Sequence, residues 1–164
     1  MTTPEGRIGR VLRSVVEALD PVAVPWAITG STALALRGLD LEPADVDLQT
    51  TAGGAYAIES ALPGRIDRPV RFVASHRIRS HFGTMAVDGV AVEIMGAVRT
   101  RRPDGTWTAP TSVRANRRLL KALGVTVPVM RLEHEVGAYE RLGRLDRAAT
   151  IRELTGSTGS GRDG

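Results

Sequence analysis

The chain has 164 residues, 42% hydrophobic and 24% charged, with a formal net charge of +4, an ordinary composition for one soluble globular domain with a sizeable core. It has no cysteine, which excludes disulfides and thiolate metal sites, so any metal needs oxygen or imidazole ligands, and a cytoplasmic location is expected. Lys121 is the only lysine, the arginines are scattered rather than blocked, and 4% aromatic residues leave few platforms for stacking bases. A basic RNA-binding protein is therefore disfavoured against a solvated basic surface that attracts a small anionic substrate.

Ile8, Val11, Leu12, Val15, Val16 and Leu19 recur at helical spacing, so residues 5–19 are predicted as an amphipathic helix stopped by Asp20-Pro21. Arg7, Arg10 and Arg13 fall among its apolar residues along the chain, so no signal-peptide core is expected, and no run in the chain approaches the ~20 apolar residues of a membrane span. Pro25 to Thr29 reads as a short buried strand. Gly30 turns the chain, and Ser31 is expected to cap a helix through Ala33, Leu34 and Leu36 that ends at Arg37-Gly38. Asp45 to Thr50 is a strand, and Gly53-Gly54 opens a helix to about Leu62.

Residues 69–74 form a further strand, whereas Arg65, Asp67 and Arg68 read as a solvated loop. Residues 79–87 and 90–95 flank Asp88-Gly89, a strong hairpin signal. Pro103-Asp104-Gly105 is a turn. Residues 117–123 look helical locally, yet Gly124 and the alternating Val125, Val127 and Val129 argue for a second hairpin, and the strand reading is adopted. Leu132, Val136, Tyr139 and Leu142 mark a helix that Gly143 interrupts, and residues 145–154 make another. The Gly- and Ser-rich segment 155–164 is expected to be a disordered tail after a single domain over 1–154. This order of elements predicts an α/β (α+β) domain with a mixed β-sheet and flanking helices.

The chemistry concentrates in Gly30-Ser31 and Asp45-Val46-Asp47. Residues two apart on a strand share a face about 6.6 Å apart. Asp45 and Asp47 therefore project together while Val46 and Leu48 enter the core. Paired carboxylates suit Mg²⁺, or Mn²⁺, which binds carboxylates, water and substrate phosphates. A further carboxylate is expected at Glu93, since a glutamate between the buried Val92 and Ile94 is costly unless paired, hydrogen-bonded or metal-bound. Gly30 lets the backbone turn tightly, and the helix after it presents N–H groups and the Ser31 hydroxyl to a phosphate. Each piece has a plainer reading: Ser31 as a cap only, Asp45 and Asp47 as a solvated edge pair, and Glu93 as partner of Arg71, Arg77, Arg79 or Arg99. Their occurrence together and in this order favours the functional reading.

The pattern Gly30-Ser31, thirteen residues, Asp45-Val46-Asp47, then Val92-Glu93-Ile94 resembles the nucleotidyltransferase superfamily of DNA polymerase β-like fold. It is most similar to the small bacterial minimal nucleotidyltransferases and the aminoglycoside and lincosamide nucleotidyltransferases. Ser80 to Gly83, Val87 to Val90, Glu93 to Gly96 and the segment Val129 to Leu154 extend the resemblance over roughly residues 10–154. The resemblance implies a metal-dependent enzyme that moves a nucleoside monophosphate from a nucleoside triphosphate, ATP or another, to an acceptor hydroxyl, releasing pyrophosphate. Asp45, Asp47 and Glu93 would be the catalytic and metal-binding carboxylates, Glu93 either as ligand or as the base, and Gly30 and Ser31 would hold the β/γ-phosphates. The acceptor would be a small molecule, or a protein or RNA group in a toxin–antitoxin setting, with a homodimer or antitoxin as partner. Residues 131–154 lack the lysine that many relatives carry there; Arg141 and Arg144 are read either as serving a phosphate in its place or as solvated. The alternative is a degenerate module of the same fold that binds nucleotide or a partner without catalysis; three intact carboxylates argue against it. His76, His81 and His134 are read as surface or structural residues, and Trp26 and Trp107 as packing groups.

Overall fold

The computed structural model describes residues 4–157. Its spine is a seven-stranded mixed sheet in the order β3-β4-β5-β2-β1-β7-β6. The strands are β1 (Trp26–Thr29), β2 (Asp45–Thr50), β3 (Arg65–Ala74), β4 (Ile78–Val87), β5 (Val90–Thr100), β6 (Arg117–Ala122) and β7 (Val125–Met130). The pairs β2/β5 and β1/β7 are parallel and the rest antiparallel. The helices are α1 (Pro4–Leu19), α2 (Gly30–Leu36), α3 (Ala52–Ala61), α4 (Val113–Asn116), α5 (Leu132–Arg141) and α6 (Leu145–Ser157). The mixed α/β architecture is the one anticipated.

α1 turns the stripe Ile8, Val11, Leu12, Val15 and Leu19 inward, and these residues join Val46, Leu48, Ile58, Val92 and Ile94 in one continuous core. A smaller cluster of Ala27, Val113 and Met130 fills the opposite side of β1 and β7. The two hairpins anticipated from the sequence, β4/β5 and β6/β7, close with two residues at positive φ, Asp88-Gly89 and Leu123-Gly124, the backbone that fits the right-handed twist of the strands. The valine alternation thus prevails over the local helical look of residues 117–123.

Three boundaries differ from expectation. β3 begins at Arg65, so Arg65, Asp67 and Arg68 belong to a strand rather than a loop. Its first half is an edge, mostly exposed, with register shifts between Ile66 and Arg68 and between Arg68 and Arg71, which absorb the Pro69 that cannot donate to a ladder. β5 runs on to Thr100, past a break at Ala97, whose φ is 54°. α6 continues to Ser157, into the segment expected to be disordered; residues 158–164 lie outside the described residues. Among the described residues no helix is long and apolar enough to cross a membrane.

Candidate active site

β2 and β5 run side by side in register, with Asp47 opposite Glu93 and Asp45 opposite Ala91. Val46 and Leu48 on one strand and Val92 and Ile94 on the other are fully buried, which forces the intervening carboxylates to the other face. Asp45, Asp47 and Glu93 each offer an oxygen there, all within 4.8 Å of one another, and each residue is half-buried. The sheet therefore assembles the three carboxylates that the alternation on two separate strands anticipated.

Such crowding is unfavourable without a counter-charge. Burial, a hydrogen bond to Glu93 and the negative charges of Glu93, Asp45 and Glu135 push the Asp47 carboxyl up to about 8. One of its oxygens, Oδ1, is buried with no hydrogen-bond partner. An orphaned carboxylate oxygen facing two further carboxylates fits a hard divalent cation, for which oxygen donors are the preferred set.

Gly30 abuts this cluster. Its φ is +71°, and a Cβ on it would lie 2.5 Å from Asp47 Oδ2, so a side chain would collide with the carboxylate as well as strain the turn. Ser31 lies inside the first turn of α2 and is not its cap. Thr29 is the N-cap residue, and no side chain caps this helix. The Thr29 hydroxyl points elsewhere, donating to Glu135 Oε1 at 2.5 Å, and Gly30 N–H donates to the same oxygen at 3.3 Å. Gln49, the third residue along the Asp45–Asp47 face of β2, donates from Nε2 to Thr29 Oγ1 at 3.4 Å.

Glu135 escaped the reading of the sequence. It is 3% exposed, and burial pushes its carboxyl up to about 7, against the pull of the Thr29 and Gly30 hydrogen bonds and of the Arg37 charge. Its signal was present: Leu132, Glu135 and Tyr139 fall at i, i+3 and i+7, so a glutamate stands inside the apolar stripe of α5. The histidines lie apart from the carboxylates: His81 bonds the Tyr56 hydroxyl at 2.9 Å and His76 meets Arg101 at 3.0 Å, while burial and then Arg141 lower the half-buried His134. Trp26 is buried, and Trp107 lies under the Arg79 guanidinium, 3.9 Å from its ring centroid.

A mixed sheet holding three carboxylates beside a glycine turn defines a nucleotidyltransferase fold, and comparison with known proteins agrees. Residues 11–153 match the aminoglycoside-2''-adenylyltransferase family, and the chain belongs to that family. Among solved structures, a candidate nucleotidyltransferase of Thermotoga maritima is 40% identical, with 96% of each chain covered and a TM-score of 0.79. The lincomycin-bound lincosamide antibiotic adenylyltransferase LnuA is 12% identical, covering 77% of this chain and 82% of its own, with a TM-score of 0.53. The antibiotic-resistance factor ANT(2'')-Ia is 14% identical, covering 93% of both chains, with a TM-score of 0.53. The last two show likeness of fold alone. No curated protein matches the chain.

Proposed function

We propose that this nucleotidyltransferase moves a nucleoside monophosphate, with ATP as donor, onto the hydroxyl of a small-molecule acceptor. The observation that carries the reading is the convergence of Asp45, Asp47 and Glu93 within 4.8 Å beside the Gly30 turn. Asp45 and Asp47 hold Mg²⁺, with Glu93 completing the carboxylate set. When bound, the ion supplies positive charge against the triphosphate and the departing pyrophosphate. Asp47 would be ionised when it holds the ion, whose positive charge would offset the crowding that raises its carboxyl.

Ser31 and the N–H groups of the first turn of α2 face the β- and γ-phosphates. Gly30 keeps a side chain out of the space between that turn and Asp47. Glu93 takes the proton of the acceptor hydroxyl as the new O–P bond forms at the α-phosphorus and the bond to pyrophosphate breaks. A triphosphate donor and a cysteine-free chain suit the cytoplasm. A protein or RNA hydroxyl, in a toxin–antitoxin pairing, is the second acceptor class to examine.

Thermal denaturation with ATP and Mg²⁺ tests the donor half, because a ligand that binds only the folded state raises Tm. Absence of a shift with all four nucleoside triphosphates would sink the reading. Pyrophosphate release across acceptors tests the other half. Glu93→Gln is expected to lose transfer by roughly a hundredfold or more while keeping nucleotide binding. Equal loss of both would make Glu93 a metal ligand and not the base.

A further inference from the structure

A cleft of about 380 Å³ opens where the β3–β4 turn and the loop after β5 meet the α5–α6 junction. His76, Arg77, Arg101, Arg102, Glu140 and Arg141 line it. Four arginines and a histidine thus share the lining with a single carboxylate, Glu140, which also lies against Arg152. Asp104, near Arg102, accepts from the Thr106 hydroxyl at 2.6 Å and the Thr106 N–H at 2.9 Å.

The arginines are held in place by neutral acceptors. Arg77 Nη1 donates to the Leu142 carbonyl at 2.8 Å, and Arg102 Nη1 to the Trp107 carbonyl at 2.8 Å. Arg101 Nε donates to the Gly105 carbonyl at 3.3 Å while its Nη1 meets His76 Nδ1, and Arg141 Nε donates to Thr100 Oγ1 at 2.6 Å. These bonds orient the guanidinium forks without neutralising them. The Arg141 guanidinium is lowered by burial and then by the charge of Arg102, so the cations crowd one another. Convergent, pre-oriented guanidinium groups in a concavity favour an anion that can accept several N–H bonds at once, and phosphate oxygens match the fork geometry.

We propose that this cleft is an anion site, separate from the carboxylate cluster, that takes a phosphate-bearing ligand of two or more negative charges, a phosphate monoester or a diphosphate. Asp45, Asp47, Glu93, Gly30 and Ser31 are not among its lining residues, and Arg141, considered from the sequence as a phosphate group's partner, lies in this cleft instead. The volume admits a phosphoryl group with a small organic substituent.

The test is calorimetric titration of the full chain with inorganic pyrophosphate and, separately, inorganic phosphate, in EDTA at constant ionic strength. Saturable binding of pyrophosphate is expected, with a Tm rise of about 3 °C or more at saturating ligand. Tighter binding of pyrophosphate than of phosphate indicates a diphosphate ligand, and equal binding a monoester. The double variant Arg101→Gln, Arg102→Gln should bind at least tenfold more weakly, and Arg101→Lys, Arg102→Lys should stay within a few-fold of the parent. If the glutamine pair fails to fold by circular dichroism, Arg102→Gln alone should still weaken binding at least threefold. Asp47→Asn should leave binding unchanged. No saturable binding, equal affinity in the glutamine variants, or loss of binding in Asp47→Asn would each overturn the proposal.

Discussion

The two ends of α5 face opposite electrostatic environments. Near its N-terminus Glu135 joins the neighbourhood of Asp45, Asp47 and Glu93, where negative charge accumulates and Asp47 responds by holding its proton up to about 8. At its C-terminus Arg141 joins Arg77, Arg101 and Arg102, where positive charge accumulates and guanidinium groups have no comparable escape. The difference teaches that like charges gathered by a fold are tolerated in two ways. Carboxylates neutralise themselves by binding protons near neutral pH, whereas arginines stay charged and must be spread over neutral acceptors or meet an anion.

The contrast can be broken from the acidic end first. Asp47→Asn should abolish metal-dependent transfer, by roughly a thousandfold or more, while circular dichroism remains native. The metal-free variant should also melt higher than the parent, since it removes a carboxyl that the fold holds neutral at a cost. A variant with full activity would show that the metal site is elsewhere.

The next change acts on α5 itself. Glu135→Ala removes the acceptor shared by the buried Thr29 hydroxyl and the partly buried Gly30 N–H, leaving both donors to find another. A loss of about 1–3 kcal/mol is expected in urea denaturation, with Glu135→Gln recovering most of it. An unchanged midpoint would mean that the glycine turn is held by the sheet alone.

A pH slope should also be confined to the acidic end. Asp47 and Glu135 both have folded carboxyls raised above their unfolded values, to about 8 and about 7. Between the unfolded values near 4 and these raised values the folded chain binds more protons than the unfolded chain, so stability should fall as pH rises. Tm in EDTA is expected to decline from pH 5 to 8, and Mg²⁺ should flatten the decline by stabilising the ionised Asp47. A Tm that rises over that range would contradict the assigned shifts.

What was legible in the sequence follows from the range of the interactions. Asp45 and Asp47 could be placed on one face because period-two alternation is local to β2, and Asp88-Gly89 because a two-residue turn carries its own backbone demand. Glu93 needed one inference beyond its strand, namely that a glutamate between buried aliphatics has a partner. Glu135 needed knowledge that α5 packs over the Thr29–Gly30 turn, more than a hundred residues earlier in the chain. The arginine cleft was the least legible. Its members come from the β3–β4 turn, the loop after β5 and α5, and only the sheet order brings together residues that looked scattered.

The outermost strands bear on how copies of this chain meet. β3 carries Arg65, Arg68 and Arg71 along one margin of the sheet, and β6 carries Arg117, Arg118 and Lys121 along the other. Extending the sheet from one molecule into the next would set cation against cation at either margin, and Pro69 removes a donor from the first. Like charge at both margins therefore opposes ribbon-like stacking of one sheet on the next.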